Sequence, residues 1–116
     1  MIAGVYNLTI EQGTTLSRTL TWTDSNDALV DLTNYTARAK VRDGYDGTAV
    51  VDLTTENGGI TLGGALGTVV LSMSAADTAA LSVLKDGRWD LELVSAGGTV
   101  TRLVQGKCTI SREVTR

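Results

Sequence analysis

Residues 35–42, YTARAKVR, alternate without a fault: Tyr35, Ala37, Ala39 and Val41 share one parity, and Thr36, Arg38, Lys40 and Arg42 share the other. A period of two is the repeat of a β-strand with one dry face and one wet face, whereas a helix built on it would scatter apolar residues around its whole surface. The same pattern returns along most of the chain. It aligns Tyr6, Leu8 and Ile10 in VYNLTI, Val69, Leu71 and Met73 in TVVLSM, and Trp89, Leu91 and Leu93 in GRWDLELVS. In TLSRTLTW it aligns Leu16, Leu20 and Trp22, with Arg18 in the same row, where a rim position lets the guanidinium reach water. Gly, Asn and Asp clusters part these segments, as turns part successive strands.

Composition agrees with strands. The chain is rich in Val and Thr and contains no Phe, Pro or His. Branched β-carbons already restrict the first side-chain torsion, so Val and Thr lose little on a pleated surface. Its 116 residues suffice for one domain with its own core and fall short of two. The reading is therefore all-β: residues 1–116 form a single antiparallel two-sheet β-sandwich, immunoglobulin-like or related, of about seven to nine short strands. A partly closed barrel is the alternative.

The connections carry their own signals. TDSNDALVDLTN reads as a long connection that tucks in Leu29 and Leu32, DGYDG turns the chain into TAVVDLT, and Asn57-Gly58-Gly59 marks a tight turn into ITL. AGGT makes a hairpin into the final segment. One short helix is expected in SAADTAALSVL, capped by Ser74 on the amide of residue 77, with Asp77 in its first turn and Ala76, Ala80 and Leu81 on its inner side.

Residues 100–116, VTRLVQGKCTISREVTR, pose a problem of length. Fully extended they would span about 55 Å, against a radius of gyration near ~13 Å for a domain of this size. The segment either bends or leaves the body. Gly106 interrupts its alternation, and a bulge there would bring Leu103 and Cys108 onto one face. REVTR is then left over, either as a frayed end or as a strand end offered to a neighbour's edge.

Charge and motifs narrow the function. A net charge of -3, from thirteen acidic and ten basic residues, provides no broad positive field for a phosphate backbone, so no nucleic-acid partner is expected. No apolar run approaches bilayer length, and MIAGVYNLTIEQG lacks the basic and apolar regions of a signal peptide, so synthesis in the cytosol without membrane contact is expected. With no His, the commonest general base and metal ligand is missing, and the single cysteine, Cys108, reads as a small buried hydrophobe. No enzyme activity, metal or cofactor is expected. GGITLGGALG lacks the Lys-Ser/Thr ending of a phosphate loop, Asp24, Asp27 and Asp31 read as turn residues more than as calcium ligands, and the acceptor triplets at Asn7 and Asn34 are chance products of a Thr-rich chain. A carbohydrate-binding module would need exposed aromatics. Trp22 and Trp89 fall on apolar parities and should fill the core, which leaves Tyr45 exposed in its polar turn.

The order of several phrases is informative: YNLTIEQGTTLSRTLTW, VDLTNYTARAKVR, GGITLGGALGTVVLSMSAADTAAL and GRWDLELVSAGGTVTRLVQGKCTISREVTR. Together they resemble a group of small tailed-phage structural proteins and, more distantly, the N-terminal domain of phage baseplate upper proteins. The resemblance implies a β-sandwich that serves as a non-enzymatic part of the virion, in the tail or its baseplate, with a capsid decoration protein as the nearest rival and a carbohydrate-binding module as the second. It implies other virion proteins as partners, in several copies of a symmetric assembly. The residues expected to meet them are Arg18 at its rim, Arg38, Lys40 and Arg42 on one basic face, and Arg112, Glu113 and Arg116 at the end of the last strand.

Overall fold

In the computed structural model, residues 4–44 and 47–112 are described. They form nine strands and one α-helix: β1 (Gly4–Val5), β2 (Leu8–Glu11), β3 (Leu16–Thr21), β4 (Thr36–Arg42), β5 (Ala49–Thr54), β6 (Ile60–Leu62), β7 (Thr68–Met73), α1 (Ala75–Ala79), β8 (Leu84–Val94) and β9 (Val100–Ser111). The strands make two sheets. The larger runs β1-β9-β8-β4-β5 with β2 also on β9, and the smaller runs β3-β7-β6. This is the two-sheet sandwich that the alternation predicts. Its core lies between the sheets, where Leu91, Leu93, Cys108 and Ile110 of the larger face Val69 and Leu71 of the smaller, all at most 1% exposed.

The alternation of β4 is realised residue by residue, with Ala37, Ala39 and Val41 buried and Thr36, Arg38, Lys40 and Arg42 exposed. Helix α1 is capped as expected, since Ser74 Oγ accepts from the Asp77 amide at 3.1 Å. Of its expected inner side, Leu81 packs half-buried against the core, and the rest differs. Ala76 and Ala80 are exposed, and Thr78, 0% exposed, points inward with its hydroxyl donating to the Thr14 carbonyl at 2.7 Å. A five-residue helix has room for one inward residue, and Thr78 takes that place by tying α1 to the start of β3.

Three further departures concern Leu29, Trp22 and the first two strands. Leu29 is 51% exposed; that connection instead buries Leu32 and packs Val30, half-buried, against the core. Trp22 is half-buried, edge-on to Tyr35 at 6.3 Å and 87°, because the connection after β3 folds back over it without closing. The tight turn expected at Asn57-Gly58-Gly59 is present, and it carries the chain from β5 of one sheet to β6 of the other. Asn57 itself organises that crossing: its Oδ1 accepts from the amides of Thr54 and Gly59, both at 2.9 Å, and its Nδ2 donates to the Asp52 carbonyl at 2.9 Å. Finally, β1 and β2 pair parallel with β9, in one continuous register from Gly4↔Val104 to Glu11↔Ser111, while the other strand pairs are antiparallel.

The last strand neither folds over nor departs. Its twelve residues, Val100–Ser111, would extend about 40 Å at ordinary strand rise and lie within a molecule whose longest dimension is 44 Å. Strand β8 accompanies it, so these two strands are long and not short. A bulge is present, but at Leu103 and not at Gly106. Leu91 faces Val104 and Glu92 faces Arg102, so Leu103 is the extra residue. The insertion leaves Leu103 and Val104 both packed against the core and turns Arg102 outward.

Gly106 is needed for a close approach. It lies opposite Trp89 in β8, beside the Tyr6–Asn7 break between β1 and β2. A β-carbon there would stand 2.4 Å from the Tyr6 carbonyl oxygen. That carbonyl leaves the parallel ladder to accept from the Trp89 indole at 2.7 Å, while Asn7 Oδ1 accepts from the Lys107 amide at 3.1 Å in its stead. The break thus keeps its hydrogen bonds by borrowing two side chains.

Candidate interaction face

The outer face of the larger sheet is a charged ladder set by register. Arg38, Glu92 and Arg102 form one row across β4, β8 and β9. Lys40, Asp90 and Gln105 form the next, and Arg42, Arg88 and Lys107 the third. On β5, Asp52 lies beside Lys40. Six of the chain's ten Lys and Arg residues therefore share one side of one sheet.

The rows are not equivalent. In the first, Arg38 Nε meets Glu92 Oε1 at 2.8 Å, and Arg102 reaches both Glu92 at 3.9 Å and Asp90 at 3.4 Å. Those cations are largely matched. The third row has three cations side by side, an arrangement in which like charges repel. Its acidic contact among the described residues is Asp86, at the rim, 3.1 Å from Arg88. Arg42 donates to the neutral Gly47 carbonyl at 3.1 Å. No described carboxylate lies within ion-pair distance of Lys40, Arg42 or Lys107.

Burial and the neighbouring Glu92 raise the pKa of Asp90 above its ordinary value, against the opposing pull of Arg102, Arg42 and Arg38. Around it the face is concave. A hollow of about 560 Å³ is lined by Lys40, Arg42, Arg88 and Lys107 together with Asp90, and the backbone of Gly106 forms part of its floor.

Of the residues singled out from sequence, Arg38, Lys40 and Arg42 stand together on this face. Arg18 does not join them. It is half-buried on β3, an edge strand of the smaller sheet, and donates to the Ser17 carbonyl at 3.0 Å, which fits its rim position but puts it on another surface. Arg112 is exposed just past β9, and Glu113, Arg116 and Tyr45 lie outside the described residues. Arg88, Arg102 and Lys107 were not among the sequence candidates. For Arg88 and Lys107 the outward parity, opposite to Trp89, Leu91 and Cys108, was the available signal, while Arg102 shares the parity of Cys108 and turns outward only through the extra residue at Leu103; their juxtaposition with β4 needed the strand order.

The other sequence features resolve locally. Asp24 Oδ1 accepts from the amides of Asn26 and Ala28, at 2.8 and 3.0 Å, and Asp31 Oδ1 accepts from the Thr33 amide and hydroxyl, at 3.0 and 2.6 Å. The Thr33 hydrogen bonds lower the Asp31 pKa. These carboxylates organise turns. In GGALG, Gly67 takes a φ of 67° and a β-carbon on it would stand 2.9 Å from the Trp22 carbonyl. Cys108 is enclosed in the core, and burial pushes its thiol up to about 11. Trp89 is 4% exposed and edge-on to Tyr6 at 6.1 Å and 75°. Both aromatic pairs are T-shaped, so neither makes the flat platform on which sugar rings stack.

No group of three His, Cys, Asp or Glu among the described residues is placed to hold a metal, and no described helix is long and apolar enough to cross a membrane. Neither the scan against protein-family models nor the search of curated proteins finds a match to this chain.

Proposed function

We propose that this protein is a non-enzymatic structural component of a phage virion, placed in the tail or baseplate and held there by subunit contacts. The observation that carries the reading is the segregation of six of ten cations onto one concave sheet face in a chain whose net charge is -3. An excess of that sign, against the overall balance, suits a complementary acidic surface on a neighbour. The likeness of the ordered phrases to tailed-phage structural proteins supports the setting, and a body of long paired strands around a dry core suits a part that bears contacts.

Particles purified from an infected culture test this directly. Mass spectrometry should find the chain at fixed stoichiometry to other virion proteins, and a density map should place it in the tail. A triple reversal, Lys40→Glu with Arg42→Glu and Lys107→Glu, should leave the isolated protein folded and remove it from particles. Absence of the native chain from purified virions would end the proposal.

A further inference from the structure

We infer that the hollow beside Trp89 is a receptor for a short, extended acidic segment of a partner protein, with carboxylates at alternate positions. The inference rests on the reading of this face as a partner contact, and specifies what that partner presents.

The third row is the starting point. Arg42, Arg88 and Lys107 sit on adjacent strands, about 4.8 Å apart from one to the next, and like charges at that spacing oppose sheet formation. The first row shows that this chain can pair its outer-face cations with acids in the same ladder, as Glu92 does for Arg38 and Arg102. In the third row the β8 residue in that place is Arg88, itself a cation, whose own acid is Asp86 at the rim. An anion supplied from outside would relieve the repulsion, and the concavity admits one.

The spacing selects its form. Lys40 and Arg42 are alternate residues of β4, about 6.8 Å apart along the strand, and carboxylates at alternate positions of an extended peptide repeat at the same distance. A segment lying along β4 would set one carboxylate at Lys40 and the next at the row of Arg42, Arg88 and Lys107. The cationic zone is short. Asp52 and Asp90 flank Lys40 within its own row and Glu92 lies one row on, so a continuous polyanion such as a nucleic-acid strand would run onto like charge, whereas a segment with two or three carboxylates can end at Lys40.

The test is an amide-resolved NMR titration of the full chain with a short synthetic peptide alternating Glu and Thr. Parallel titrations use the same peptide with Gln for Glu, and a short oligo-thymidylate. The Glu peptide should shift the amides of residues 40–42, 88–90 and 105–107, with affinity that falls as salt rises. Lys107→Glu and Lys40→Glu should each weaken it about tenfold or more, a loss of roughly 1.4 kcal/mol or more, and Lys107→Arg should restore it. The inference is overturned if those amides do not move, if the Gln peptide moves them equally, or if the oligonucleotide binds more tightly. Failure of the peptide while the charge-reversed triple variant is still lost from particles would sink the inference and spare the wider reading. Binding of the peptide by a protein that is absent from particles would do the reverse.

Discussion

Strands β4, β8 and β9 present two faces under one register, and the two obey different rules. Inward, Ala39, Leu91 and Val104 stand across from one another with Leu91 fully enclosed; outward, one residue along, Lys40, Asp90 and Gln105 do the same in water. The inner rows are chosen for volume, because a void or an excess atom between two sheets has nowhere to go. The outer rows are chosen for sign, and water and salt forgive errors of shape there. The bulge at Leu103 keeps the two rules apart. Without the extra residue, continuation of the Leu91↔Val104 register would set Leu103 across from Glu92 on the wet face and Arg102 across from Leu93 on the dry one. Fold and contact are thus written in the same strands, on opposite parities.

The widest gap between the faces should appear on truncating Leu91. Leu91→Ala leaves a cavity between the sheets and should cost about 2–5 kcal/mol in denaturant unfolding; a loss under about 1 kcal/mol would mean that the sheets close over the gap. Next comes Gly106→Ala, in which the new β-carbon meets the Tyr6 carbonyl. A cost of about 1–3 kcal/mol is expected, with faster amide exchange confined to residues 4–11. Uniform exchange throughout the sheet would show that the β1–β2 edge is not a separable unit.

A smaller effect, read as a slope, concerns Asp90. Its raised pKa means that the folded chain holds the proton more tightly than the unfolded chain does. Its contribution is therefore most favourable at acid pH and diminishes as pH climbs through the ordinary value of 3.8 and past the raised folded value. Asp90→Asn should remove that decline, so the variant gains on the native chain between acid and neutral pH. The opposite trend would make the Arg102 contact the dominant influence. Smallest of all is Lys107→Gln, which should move stability by no more than about 0.5 kcal/mol, and upward if at all, since it thins a row of like charges. A large loss would erase the contrast between the faces.

Much of this was legible in advance where the physics is local. The parity of residues 36–42, the Ser74 cap and the inward row of Val69 and Leu71 each depend on near neighbours. What local pattern does not carry is partnership. The parallel union of residues 4–11 with residues 104–111 leaves no mark in either segment except Gly106, whose lack of a side chain fits a bulge and a close approach equally well. The face was half visible for the same reason. Arg38, Lys40 and Arg42 are a run on one strand, but Arg88, Arg102 and Lys107 join them only once β8 and β9 are laid alongside, and the break in alternation at Leu103 hides which way Arg102 points.

The seam between β2 and β9 has a consequence for biosynthesis. Residue 10 finds its partner at residue 110, so β2 must wait while about a hundred further residues are made before β9 can reach it. At about 5–20 residues per second this interval lasts roughly 5–20 s. Throughout it Leu8 and Ile10, which end fully interred, have no β9 to lie against. During that delay the nascent chain exposes a greasy tether that chaperones or sister chains can seize, and crowded polysomes should be where this protein misassembles most readily.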